Sequence, residues 1–270
     1  MMKARANMIA TALVLTGLLG GCSGQKPTTT PGQATVAMPH ASIRNNRGMY
    51  YLPTPKLPGE WTVADALQAY GNHATGKLKH YFTKAKVSYP PREVNLIALK
   101  QEKKLELWAK DRGEFRFIRD YYILAASGGP GPKLRQGDKQ VPEGIYRIEE
   151  LNPNSHYLLS MKLNYPNAFD LYHAEEEGRT NPGSDIFIHG SSVSIGCLAM
   201  GDEAIKELFV LTAHVGPEHV KVVIAPHDPR SYPLKADPEE FPAWTSELYA
   251  IISREIEALP VGMKSAKTGL

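Results

Sequence analysis

Cysteine is scarce in this chain: Cys22 and Cys197 are the only two. Two thiols cannot build a disulfide scaffold or a cysteine-rich zinc site. Long apolar runs are also missing. The one near the N-terminus, Met8 to Leu19, is short for a bilayer span, and none later is long enough. Charge of one sign is not concentrated anywhere. The net charge is +3, and no Lys/Arg cluster with interleaved aromatics appears, so no nucleic-acid partner is expected. The glycine-rich stretch Gly128 to Lys133 lacks the Gly-Lys-Ser/Thr ending and the following helix of a phosphate loop. His156, His173, His214, His219 and His227 are not at metal-ligand spacing, and His73 and His80 fit a solvated helix face. Neither a metal nor another cofactor is expected.

What the N-terminus does hold is a targeting pattern. Lys3 and Arg5 precede the apolar run, which ends Leu19-Gly20-Gly21-Cys22-Ser23. Small residues directly before a cysteine resemble a bacterial lipoprotein signal, with Cys22 as the lipidated first residue of the mature chain. Ser23 resembles the residue of lipoproteins sorted to the outer membrane. The expectation is therefore a periplasmic protein held to a membrane, the outer one, through a lipid anchor. Removing residues 1–21 would leave a net charge of +1. It would also leave Cys197 as the one unanchored thiol of an exported chain, which points to a reactive role.

Residues 22–60 combine the lipidated terminus with a Pro/Gly/Ser/Thr linker. Residues 61–92 read as a helical extension: Thr62 and Asp65 have capping-box spacing, and Ala66, Leu67, Tyr70 and Leu78 make a stripe that Gly71 and Gly76 interrupt. From 93 to 227 the period changes to strands. They are Val94–Leu99, Leu105–Trp108, Phe115–Ile118, Tyr121–Ala126, Gly144–Ile148, Tyr157–Met161, Ile186–Ile188 and Val220–Ala225, with a helix capped by Asp202. Residues 228–259 carry a helix expected to start at Asp237-Pro238 and to place Phe241, Trp244, Leu248, Ile252 and Ile256 on one face; 260–270 form a tail. This pattern predicts a mostly β fold, an antiparallel sandwich or barrel-like core with helices at both ends.

The stretch that carries chemistry is Asp185 to Cys197. A short apolar strand ends by presenting His189, and a Gly/Ser-rich turn returns with Gly196 and Cys197. A thiol needs a nearby base to become a thiolate, and a carbonyl under attack needs N–H groups for its oxyanion. A loop with an inert buried cysteine is the alternative.

Several pieces together resemble the catalytic domain of the L,D-transpeptidase (YkuD-type) family, in its YafK-like branch. They are the hairpin Val94 to Lys110, the Val141-Pro142-Glu143-Gly144 segment before a strand, Tyr165-Pro166-Asn167, and the His-Gly…Ser-x-Gly-Cys pattern at 189–197. The resemblance implies Cys197 as nucleophile, His189 as general base, and the N–H groups of Gly196 and Cys197 as oxyanion hole, with Ser194 at the pocket edge, where it can hydrogen-bond substrate or orient the site. One position departs from the wider family, which reads Ser-His-Gly-Cys: Ile195 stands where a second histidine would be, so that histidine is not required here.

The implied substrate is the diaminopimelate-containing stem peptide of peptidoglycan, cross-linked or remodelled through a thioester. Lys133, Arg135 and Arg179 can pair with its carboxylates or be solvated charges. Tyr165 and Asp170 can line the cleft or fix a loop. Two other functions stay open: hydrolysis at the same site, cleaving cross-links or releasing a murein-bound lipoprotein, and a non-catalytic wall-binding lipoprotein.

Overall fold

A computed structural model describes residues 59–260, with the backbone of two short paired strands, β1 (Ile43–Arg44) and β2 (Tyr50–Tyr51). The expected signal, Cys22, the rest of the linker and the tail from 261 lie outside the described residues.

Helix α1 (Val63–Ala85) opens with the anticipated capping box: Thr62 Oγ1 accepts from the Asp65 N–H, and the Asp65 carboxylate accepts from the Thr62 N–H. It runs unbroken through Gly71 and Gly76, where the sequence predicts interruption. Packing explains this. Ala66, Gly71, Ala74, Leu78 and Phe82 are buried, and tertiary contact outweighs the propensity cost of two glycines. Ala66, Leu78 and Phe82 belong to the main core, so the helix is part of the domain rather than an appendage.

The next strands are β3 (Glu93–Leu99), β4 (Lys104–Lys110), β5 (Arg116–Tyr122), β6 (Ala125–Ala126), β7 (Gly144–Asn152) and β8 (Ser160–Leu163). Further on come β9 (Phe187–His189), β10 (Leu198–Ala199) and β11 (Val220–Ala225). Among the described residues they form one mixed sheet in the order β5-β4-β3-β11-β7-β8-β9-β10-β6. Most neighbours are antiparallel; β3 with β11 and β9 with β10 are parallel. The sheet curls on itself. β5 and β6 are consecutive in the chain yet lie at opposite ends of the strand order. Between them the Ile123 N–H bonds Lys103 O beside β4, and the Leu124 N–H bonds Ala199 O in β10. The barrel-like expectation is thus met.

Two cores lie on the two faces of the sheet. Leu96, Ala98, Leu105, Leu107, Val222 and Ile224 join α1 and α3 (Asp202–Val215), while Ile97, Leu99, Trp108, Val223 and Ala225 meet α4 (Thr245–Glu257) through Leu248, Tyr249, Ile252 and Ile256. Alternation with both sides covered is why these strands read as continuous apolar runs.

Several elements differ from expectation. The expected strands Phe115–Ile118 and Tyr121–Ala126 are instead one strand, β5, through Tyr122 and a separate two-residue β6, because the chain leaves β4 after Ile123 and joins β10. The stretch expected to form one strand from Tyr157 to Met161 begins with a turn, in which Leu158 takes a left-handed φ of 72°, and β8 starts only at Ser160. A helix, α2 (Ala168–Glu176), follows Tyr165-Pro166, where none is anticipated; Asn167 caps it and Asp170 completes a capping box. Helix α3 is capped by Gly201, not by Asp202, whose carboxylate turns to the Ser191 N–H instead. The start at Asp237 yields one turn only, with Phe241 N–H bonded to Asp237 O. Pro242 then disfavours helical backbone at Phe241 and supplies no N–H, so α4 begins at Thr245. Phe241 leaves the expected helix face and packs on Gly131, where any Cβ would collide with its ring.

Candidate active site

Strand β9 delivers His189 at its end and β10 begins one residue after Cys197. The two strands are parallel, Ile188 beside Leu198 and His189 beside Ala199. A parallel connection normally takes a dozen or more residues; strands this short let residues 190–197 make it. Side chains alternate along a strand and register partners share a face. Continuing the register one step back places Cys197 next to Phe187, so Cys197 and His189 project on the same face as diagonal neighbours.

The turn is fixed at both ends. Met200 N–H bonds His189 O at 2.8 Å, Gly201 N–H bonds Ser191 O at 2.9 Å, and Ser191 N–H bonds Asp202 Oδ1 at 2.9 Å. Gly190 passes so close to Tyr157 O and Asp202 that a Cβ there would clash with backbone. Gly196 is needed for a different reason. It has φ of 94°, a region that side chains avoid, whereas the space beside it is open, with Gln140 O 3.8 Å from an ideal Cβ.

His189 is buried, with 1 % exposure. Its Nδ1 lies 2.6 Å from Gly190 O. A carbonyl only accepts, so Nδ1 carries the proton and Nε2 is left as the basic nitrogen. The Tyr157 ring stacks on the imidazole, 4.4 Å between centroids. Burial lowers the His189 pKa from the ordinary 6.5, against the Gly190 bond, which raises it. Burial also pushes the Cys197 thiol upward, opposed by the Phe187 N–H and the charge of Lys133 and reinforced by Asp185. The resting pair is therefore a neutral imidazole and a thiol rather than an ion pair. The thiol is half-buried and faces Asp185 O at 3.8 Å.

Both expected oxyanion donors are engaged. The Cys197 N–H reaches Ser194 Oγ at 2.9 Å, and the Gly196 N–H reaches Ser127 Oγ at 2.5 Å. Ser194 also donates to Cys197 O at 2.6 Å. It is a clasp on the main chain of Cys197, a contact of the orienting kind.

The other expected contacts resolve differently. Lys133 is buried and pairs internally with Asp138 while donating to Arg135 O, so it acts on the thiol through its field and is not free for a substrate carboxylate. Burial forces this pairing, since an unpaired ammonium there would be costly. Tyr165 is buried, its hydroxyl donating toward Pro182 O and Lys133 O, a structural tie. Asp170 is likewise structural: it accepts from the Asn167 N–H and the Tyr146 hydroxyl, and burial pushes its pKa up to about 6. Arg179 is fixed by Glu177 at 2.6 Å and Leu134 O at 2.8 Å, yet with Arg135 it borders a cavity of about 670 Å³. That cavity reaches Gln140, the residue beside Gly196.

Sequence reasoning missed Tyr157 and Ser127. Tyr157 sits in what reads as a strand start, and Ser127 is 69 residues from Gly196; no local pattern marks either. Among the described residues no three His, Cys, Asp or Glu side chains converge as a metal-binding group.

A buried histidine and a thiol thus lie on one face of a curled mixed sheet, joined by a Gly/Ser turn. Residues 93–224 match the YkuD family model, described as the L,D-transpeptidase catalytic domain. The chain is 39 % identical over 118 residues to "Putative L,D-transpeptidase YafK" of Escherichia coli K12, covering 43 % of this chain and 46 % of that protein. It thus spans about half the length of the curated relative. Among solved structures, similarity extends to Bd1075 of Bdellovibrio bacteriovorus (22 % identity, 62 % of this chain and 56 % of that one, TM-score 0.37). It also extends to the helical cell shape determining protein Pgp2 of Campylobacter jejuni (18 %, 69 % and 78 %, TM-score 0.41).

Proposed function

We propose that this protein is a cysteine-dependent L,D-transpeptidase of peptidoglycan, acting on diaminopimelate-containing stem peptides. The observation that carries the reading is the pairing of His189, held as a neutral base by Gly190 O, with Cys197 on the same sheet face inside the family-matched segment. His189 Nε2 takes the thiol proton as Sγ attacks the peptide carbonyl, and returns it to the departing amine. The thioester then passes to a second amine. The cavity bordered by Arg135 and Arg179 suits the carboxylates of such a peptide. Incubation with purified sacculi, with and without covalently attached lipoprotein, followed by mass analysis of muropeptides, tests this. New 3–3 cross-links are expected. Lost cross-links or released lipoprotein would replace transfer with hydrolysis at the same thioester; no change in either would leave a wall-binding protein.

The base has its own test. His189→Ala is expected to slow iodoacetamide labelling of Cys197 at pH 7 by at least about tenfold. Rapid labelling of that variant would remove His189 from the role. Because burial depresses its pKa, His189 stays an unprotonated base below pH 6.5, so the acid limb of kcat/KM is expected beneath that value.

Periplasmic placement on the outer membrane through Cys22 and Ser23 is proposed from the sequence pattern alone. Cys22→Ala is expected to move the protein from the membrane pellet to the soluble fraction; unchanged pelleting would refute the anchor.

A further inference from the structure

The two hydroxyls that hold the nucleophile's turn differ in one respect. Ser194 Oγ accepts from the Cys197 N–H and gives its own proton to Cys197 O, so both its functions are in use. Ser127 Oγ accepts from the Gly196 N–H at 2.5 Å, and among the described residues nothing accepts its proton. Ser127 lies directly after β6, which pairs with β10, so the strand that ends the turn also fixes the serine. Its carbonyl is fixed as well, accepting from the Val141 N–H at 3.2 Å. An oxygen that receives the Gly196 N–H stands where an oxyanion bound by that N–H would stand.

Resting on the acyl-transfer reading above, we propose that Ser127 is a catalytic hydrogen-bond donor. Its hydroxyl, backed by the Gly196 N–H, carries that dipole one atom further and donates to the oxyanion. A hydroxyl that already accepts a hydrogen bond is a stronger donor, because bonds in a chain polarise one another. The step balances simply. Sγ bonds to the carbonyl carbon after His189 has taken its proton, and the C=O π pair moves onto oxygen, where it accepts from Ser127 O–H without proton transfer. Collapse returns that pair to the C=O bond and breaks the bond to the leaving group, which departs with its electrons.

The test compares two reactions of one thiol. p-Nitrophenyl acetate acylates Cys197 through a tetrahedral oxyanion and expels p-nitrophenolate; iodoacetamide alkylates it by direct displacement, which forms none. Both rates are measured on the full chain, with Cys197→Ala as background. Ser127→Ala is expected to lower the ratio of acylation to alkylation by roughly ten- to a hundredfold, the scale of losing one oxyanion donor. Ser127→Thr, which restores a hydroxyl, is expected to stay within about threefold of the wild-type ratio. An unchanged or raised ratio in Ser127→Ala would overturn the proposal and make the hydroxyl a mere occupant of the hole. So would a parallel fall in both rates, which would mean a damaged turn. The ratio does not depend on peptidoglycan: if it falls as expected while sacculi remain unaltered, the donor role stands and the substrate assignment fails.

Discussion

Cys197→Ala is expected to abolish every muropeptide change, by at least about 10⁴-fold, with the protein folded as before. The size follows from covalent chemistry: without a nucleophile there is no thioester, and the loss resembles that of removing a nucleophilic serine from a hydrolase. Retention of the fold follows from how the turn is held. The contacts at this residue that order the turn are main-chain ones, the N–H to Ser194 Oγ and the carbonyl from Ser194 Oγ, and alanine keeps both. The thiol itself contributes a long contact to Asp185 O, so a stability change below about 1 kcal/mol is expected in a melting experiment. Residual turnover in this variant, with an unchanged melt, would mean that His189 activates water directly and that no acyl-enzyme forms.

Much of the architecture was legible because period and capping are local. Leu96–Leu99 and Val222–Ala225 read as strands since both sides of each are buried, and the Thr62/Asp65 box placed the start of α1. The His189-to-Cys197 pattern was legible for the same reason: the base, the turn and the thiol sit within nine residues. What escaped depends on partners distant in the chain. No period in β3 or β11 announces that they run parallel. Lys133 reads as a surface cation until Asp138 folds under it. Helix α2 carries a cap at Asn167 and Asp170 but leaves Leu171 and Tyr172 exposed, so it lacks the apolar stripe by which a helix is recognised. Ser127 belongs to the site only because β6 crosses to the far end of the sheet and pairs with β10.

The second large effect concerns the buried Lys100–Glu143 pair. Lys100→Met is expected to destabilise the protein by about 3–5 kcal/mol at pH 7, measured by denaturant unfolding, because it leaves a carboxylate buried without its cation. Lys100, at the end of β3, donates to Val141 O at 3.1 Å and to Glu143 Oε1 at 3.0 Å. Glu143 is almost fully buried and also accepts from the Gly131 N–H and from the Tyr249 hydroxyl of α4. Burial already raises the Glu143 pKa, and Lys100 opposes that rise. A carboxyl whose folded pKa exceeds its unfolded one contributes stability that is present at low pH and disappears as pH climbs through the folded value. Removing the cation raises the folded pKa further, so the deficit of Lys100→Met is expected to shrink toward pH 4 and widen toward pH 8. Lys100→Met/Glu143→Gln, which deletes both charges and keeps an amide for Gly131 and Tyr249, is expected to recover at least half of the loss. A deficit independent of pH, or a double variant as unstable as the single, would show that the methylene packing of Lys100 rather than its charge holds the site. The same carboxylate braces residues 131–143, where Gln140 lies against Gly196. Acylation of Cys197 is therefore expected to fall in the single variant and to return, with stability, in the double one.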